Sequence, residues 1–456
     1  MNKVLSNFFT LSLGEASSKV FGFLSTIYLA RVLGSESFGQ YAFVLAIYSY
    51  FALLANPGFE TVGTREVAKG SYSVEVLFGS IFVLRILFSI IAFIVLLLCA
   101  FLLHFENTVR VLLLTQGLNL LLTPLLIQFV FRGLTEMKYI SLARILQSSS
   151  FLLLAFFFVR SKDEIFHLPY LLLISTVVSL LPLIILYRKR FGGYSIVTSE
   201  KVRKDVLHNS VIFGASGLMI LIYYNLDSVM LGFMRPKGEV GIYSAAYKIV
   251  LFVLGFQTLF SQSLLPVISQ FAGAGKDRKP LLERSFALLL WLSMPMLLIG
   301  FFYSTQICVA VYGEGYTDSS EALRILSFAI FLIFNECITA IFLVAEGKMR
   351  QHLTSVTIGA IMNFTMNLFL IPHYGVLGAA VATVFSELWV FSMLLWYMYR
   401  TIEIRIASVL AQFIGVVIIL GSIMIYSNVV GLVLILATST VLVTKSARSL
   451  SFVKTE

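Results

Sequence analysis

The chain reads as long apolar runs separated by short polar breaks. The runs fall at approximately 9–31, 40–62, 75–102, 110–131, 140–159, 166–187, 209–233, 240–270, 285–311, 322–345, 352–371, 376–399, 406–425 and 427–444. Most are close to the ~20 residues that an α-helix needs to cross a ~30 Å hydrocarbon layer, and the rest are longer. A membrane β-barrel would show ~10-residue segments of alternating polarity, and these runs do not alternate. The pattern predicts an all-α integral membrane protein with about 14 transmembrane helices.

Composition agrees. The chain is 59% hydrophobic and 12% charged, with a mean hydropathy of +0.94. An ordinary soluble domain carries about a quarter charged residues, so these residues cannot cover a water-facing surface. A net charge of +10 would suit nucleic acid, but no basic domain exists to form such a surface, so no nucleic-acid partner is expected. Cys99, Cys308 and Cys337 sit inside apolar runs without metal-ligand spacing, and the five histidines are scattered. No metal site is expected. The first apolar stretch is too long for a cleavable signal peptide and lacks a small-residue cleavage site.

The polar breaks orient the chain. Twenty-two of the 33 Lys and Arg residues lie in the termini and in the breaks after even-numbered runs, seven lie after odd-numbered runs, and four lie inside runs. Cytoplasmic loops carry the basic excess. Both termini are therefore expected in the cytoplasm, in a multi-pass protein of the cytoplasmic (inner) membrane. The longest break, about 188–208, holds six basic residues. It suggests an N-terminal lobe over 1–190, a cytoplasmic linker over 191–208, a C-terminal lobe over 209–400, and two more helices and a tail over 401–456. Weak internal similarity supports a duplication. Phe38-Gly39-Gln40-Tyr41 opens the second run, and Val240-Gly241-Ile242-Tyr243 opens the eighth. Glu136-Met137-Lys138 and Glu346-Gly347-Lys348 precede the fifth and eleventh.

Eight ionisable side chains lie well inside the runs: Glu15, Lys19, Arg85, Arg144, Asp227, Lys248, Glu336 and Glu387. Each would cost roughly 2.5–3.5 kcal/mol at a helix centre on insertion scales, so each must pair, snorkel or meet water. Arg144 is about one turn inside its run, which fits snorkelling. Glu15 and Lys19 have the i,i+4 spacing of a helical ion pair. Lys19, Arg85 and Lys248 are placed near mid-membrane, where cations suggest a cavity for an anionic group or, alternatively, buried pairs that fix helix packing. Glu15, Asp227, Glu336 and Glu387 are candidate groups for coupling to a proton or Na⁺, with structural pairing as the alternative. Pro57 and Pro266 are candidate bending points.

Three segments resemble the multidrug/oligosaccharidyl-lipid/polysaccharide exporter superfamily, most closely its polysaccharide (O-antigen) flippase branch. They are Ser18-Lys19-Val20-Phe21-Gly22-Phe23 with Ala30-Arg31-Val32-Leu33-Gly34 and Phe38-Gly39-Gln40-Tyr41; Asp227-Ser228-Val229-Met230-Leu231-Gly232 with Val240-Gly241-Ile242-Tyr243; and Asn363 and Asn367 followed by Ile371-Pro372-His373-Tyr374-Gly375-Val376. The resemblance implies two six-helix lobes around a central cavity that opens alternately to each face. It also implies a polyprenyl-pyrophosphate-linked oligosaccharide as cargo, with polysaccharide polymerase and glycosyltransferases as potential partners. Lys19, Arg85, Lys248 and Arg31 are then candidate headgroup cations, and Tyr41, Tyr243 and Tyr247 candidate sugar-facing walls. Lipid II flippases of the superfamily carry a second basic residue six positions after the one at Lys19; here that position is Ser25, which argues against lipid II. The alternatives are an ion-coupled drug exporter of the same superfamily and a membrane enzyme such as a polysaccharide polymerase. The enzyme reading fits badly, because no phosphate loop or nucleophile elbow appears and the longest outward break is only about 312–321. No catalytic residue is assigned.

Overall fold

The computed structural model describes residues 2–192, 197–273, 278–402, 414, 416–417 and 428–451. Among them are ten helices long and apolar enough to cross a membrane. Two of these are double. Helix α1 (Asn2–Ala55) has 54 residues, about 80 Å at 1.5 Å per residue and far more than one crossing needs. It breaks at Gly34, where φ 70° and ψ 173° put the backbone where only glycine sits without strain. Helix α13 (Met349–Thr401) has 53 residues and breaks at Gly375, just past Pro372. The shorter apolar helix 431–444 matches the last predicted run, and the run 406–425 lies outside the described residues apart from 414, 416 and 417.

Two runs cross in pieces rather than as continuous helices. The run 40–62 leaves the helix at Asn56–Gly58, where Pro57 supplies no N–H, and resumes as α2 (Phe59–Lys69). The run 110–131 divides into α4 (Asn107–Gly117), a 3₁₀ segment around Pro124 (Leu118–Leu125) and α5 (Gln128–Gly133). By contrast, α9 (Lys237–Gly273) runs through Pro266 without interruption. Broken helices in a membrane expose carbonyls that neighbouring groups must satisfy, and the side chain of Arg85 reaches both of these breaks.

The chain forms two compact units, 1–241 and 242–456. In the first, α1 packs along α6 (Met137–Phe158), α3 (Val74–Leu102), α4 and α8 (Glu200–Met234), while α6 packs on α7 (Leu168–Phe191). One core cluster includes Phe59, Phe78, Phe129, Phe131, Tyr187 and Val206, all at most 3% exposed. In the second, α12 (Ser319–Ala345) lies between α13 and α10 (Lys279–Phe302), and α10 also contacts α14 (Asn428–Ser451).

Outside the spans, the Tyr72 hydroxyl donates to Asp205 Oδ2 at 2.9 Å, tying the turn before α3 to α8. That bond, together with the Asp205 charge, raises the tyrosine pKa above its ordinary value of 10.0. Because the folded-state value is the raised one, the bond's stabilisation is complete below pH 10 and is lost as pH climbs through the folded value. Tyr72→Phe should melt at a lower temperature at neutral pH and lose this alkaline dependence, as read from melting curves across pH 9–11.

Candidate functional site

Arg85, expected near mid-membrane as a cargo cation, is instead fully buried and engaged on every side. Its Nη2 pairs with Glu60 Oε2 at 2.9 Å. Nε and Nη2 donate to Asn56 Oδ1 at 3.3 and 3.2 Å, and Nη1 donates to the Leu126 carbonyl. The guanidinium also lies 5.5 Å from the Phe129 ring centroid. Asn56 and Leu126 belong to the two helix breaks described above, so Arg85 closes both at once. The buried-pair alternative therefore fits Arg85: the cation is retained at depth by a carboxylate, by the Asn56 side-chain oxygen at one break and by the Leu126 carbonyl at the other. Glu60, at the first turn of α2, is the site residue that the sequence reading missed; it lies near the end of a predicted run and carries no local signal of its partner.

Glu15 also departs from expectation. Its partner is Arg144 on α6, Nη1 to Oε1 at 3.5 Å, rather than Lys19 one turn along α1. Arg144 accordingly meets a carboxylate instead of only snorkelling. Lys19 is half-buried on α1 and has no carboxylate within 4.0 Å among the described residues. Of the other candidates in this unit, Arg31 is exposed and Tyr41 is buried. Asp227 is buried on α8.

In the second unit Lys248 is exposed on α9, again with no carboxylate within 4.0 Å among the described residues. Tyr243 is fully buried, its hydroxyl 3.2 Å from Thr383 Oγ1, and it stacks on Tyr247 at 5.6 Å between ring centroids. Tyr243 therefore packs rather than walls an open space, while Tyr247 is half-buried. Glu336 on α12 and Glu387 on α13 stand close enough to act on each other as like charges. Glu336 Oε2 is buried without a hydrogen-bond partner among the described residues. Asn335 Nδ2 donates to Ser293 Oγ at 3.0 Å, and Asn367 Nδ2 to Asn363 Oδ1 at 3.0 Å. Among the described residues no group of three or more His, Cys, Asp or Glu side chains is placed to hold a metal ion.

The arrangement thus separates cations that are fully engaged from cations that keep their donors, on a scaffold of broken and doubled helices. The profile of a family described as polysaccharide biosynthesis protein matches residues 4–272, and the MatE family profile matches 214–369. The chain is 23% identical over 397 residues to the putative O-antigen transporter of Escherichia coli (strain K12), covering 86% of this chain and 95% of that protein. Its fold is similar to the lipid II flippase MurJ in an inward closed conformation, with a TM-score of 0.78 at 14% identity over 96% of this chain and 99% of that one. It is also similar to an inward-facing multidrug resistance MATE family transporter, with a TM-score of 0.66 at 15% identity over 84% and 94%.

Proposed function

We propose that this chain, which belongs to the polysaccharide biosynthesis protein family and so to the superfamily of multidrug, oligosaccharidyl-lipid and polysaccharide transporters, flips an oligosaccharide carried on polyprenyl pyrophosphate across the membrane. The observation that carries this reading is Lys19, a cation inside a membrane span with no carboxylate beside it among the described residues. An ammonium held at that depth is costly, and a diphosphate that visits it would offset the cost by a charge-assisted contact in low dielectric. Lys248 offers a second such group in the other unit. In this reading the basic face is cytoplasmic, both termini lie there, and the membrane is the cytoplasmic one. The headgroup enters from that side and leaves on the other by alternating access, with glycosyltransferases and polymerase acting before and after. The neighbouring carboxyl groups of Glu336 and Glu387 supply the site for a coupling ion, a proton or Na⁺.

Lys19→Gln and Lys248→Gln should each lower surface-polysaccharide export by about tenfold or more, the loss of one charge-assisted contact, with membrane expression and melting temperature unchanged. Wild-type export from the double variant would reject the reading. The MatE match over 214–369 favours drug export as a second reading. A deletion strain that becomes drug-sensitive while keeping its polysaccharide would select it.

A further inference from the structure

The seam between α1 and α6 holds a charge pair that the reading above does not use. The two helices run parallel in one register. A Cβ built on Gly14 would lie 2.3 Å from Ser141 Cβ, Glu15 meets Arg144, and the Tyr28 hydroxyl donates to the Val159 carbonyl at 2.7 Å. That register puts Lys19 at the level of Gln147 and Ser148. Gln147 Nε2 in turn donates to Thr176 Oγ1 on α7 at 3.1 Å. A polar ladder of Glu15, Lys19, Arg144, Gln147 and Thr176 therefore climbs about one turn of helix within the first unit.

The ion pair in this ladder is loose. Arg144 touches Glu15 through one nitrogen at 3.5 Å, and the two side chains are 32% and 21% accessible. Neither makes another hydrogen bond among the described residues. A guanidinium has five N–H donors. Arg85 directs its donors to Glu60, Asn56 and Leu126, whereas Arg144 leaves nearly all of its own unused. A partly hydrated single contact stabilises little, and the seam is already held by the Gly14–Ser141 contact and the Tyr28 bond. Helix packing alone does not explain why a carboxylate and a guanidinium are kept here.

A diphosphate carries more charge than one ammonium neutralises, and a guanidinium fork matches phosphate oxygens two at a time. We propose that Arg144 is a second headgroup-binding cation acting with Lys19, and that Glu15 is its place-holder, occupying the guanidinium in the empty protein and yielding it to the diphosphate. Glu15 thereby sets specificity: an uncharged or singly charged headgroup does not displace it, and a diphosphate does. The inference rests on the lipid-diphosphate reading of Lys19.

The test uses the full-length protein purified in detergent, with farnesyl diphosphate as probe, farnesyl monophosphate and farnesol as controls, and calorimetric titration as the readout. Wild type should prefer the diphosphate. Lys19→Gln and Arg144→Gln should each weaken it about tenfold, Arg144→Lys should restore part of the loss, and Glu15→Gln should tighten it about threefold by removing the competing carboxylate. In the Arg144→Gln background the Glu15→Gln gain should vanish. If Lys19→Gln loses binding while Arg144→Gln and Glu15→Gln bind as wild type does, Arg144 is a strut; the inference falls and the proposed function stands. If wild type does not discriminate the diphosphate, or all variants bind alike, the diphosphate reading itself falls. Should Arg144→Gln fail to fold, Glu15→Gln decides alone, since a strut that loses its partner cannot bind the probe more tightly.

Discussion

Arg85→Met should destabilise the protein by about 3–5 kcal/mol, the range seen when one partner of a buried ion pair is removed. The side chain is wholly buried, and its loss leaves Glu60 only its longer contact to Arg132 at 3.9 Å and strands the Asn56 side-chain oxygen and the Leu126 carbonyl that now accept from it. Water cannot replace the guanidinium easily, because Phe129 and the surrounding aromatic core seal the site. Replacing both partners is a different experiment. The double variant Glu60→Leu/Arg85→Met leaves no unpaired charge in the buried site and frees only the partly exposed Arg132, which lies 3.9 Å from Glu60, so it should recover much of the lost stability, short of the contribution from the two helix breaks that Arg85 closes. Melting of the detergent-purified protein followed by size exclusion measures both. The result separates two kinds of membrane cation: Arg85→Met lowers the melting temperature, whereas Lys19→Gln lowers export without lowering it. An Arg85→Met protein that melts as wild type does but exports nothing would return Arg85 to the cargo-binding set.

Gly39→Val should prevent accumulation of folded protein, and Gly39→Ala should lower its yield and melting temperature. At the start of the second half of α1, a Cβ on Gly39 would lie 1.8 Å from the Lys237 carbonyl oxygen and 2.6 Å from the Gly241 nitrogen. The reciprocal contact is as tight, since a Cβ on Gly241 would lie 1.9 Å from the Ser35 carbonyl oxygen. Two backbones cross here with no side chain between them, and neither can retreat. Lys237 is held by its own bond to the Gly232 carbonyl at 2.6 Å and faces Glu106 at 3.9 Å. Overpacking a core by a few methylenes costs about 1–3 kcal/mol, and a backbone obstacle places this site at the upper end. Gly22 is the control. A Cβ there meets no heavy atom within 4 Å, so Gly22→Ala should be neutral or stabilising by about 0.5–1 kcal/mol, the helix-interior advantage of alanine. Folded yield and melting temperature of the three variants, measured side by side, check the order. Equal behaviour of Gly39→Ala and Gly22→Ala would disprove the crossing.

These two sites mark the limit of what the sequence shows. The repeat Phe38-Gly39-Gln40-Tyr41 and Val240-Gly241-Ile242-Tyr243 was visible as a pattern, but that its two glycines touch was not. The break at Pro57 was legible because a missing N–H is a property of one residue. The pieces of the 110–131 run were less so, because a long apolar stretch reads the same whether its helix is continuous or not. Glu60 went unassigned because it and Arg85 lie on different helices, and nothing local to either names the other.

The sequence alone determined the solvent and the helical class. Apolar length and the distribution of Lys and Arg are summed over tens of residues, and a helix satisfies its hydrogen bonds within its own segment. Only the tertiary structure decided the fate of each charge. Lys19, Arg85 and Arg144 look alike as cations in apolar runs, yet one is left without a carboxylate among the described residues, one is sealed by Glu60, and one is loosely held by Glu15. An ion pair depends on ångström distances between helices far apart in the chain, and no periodicity carries that information.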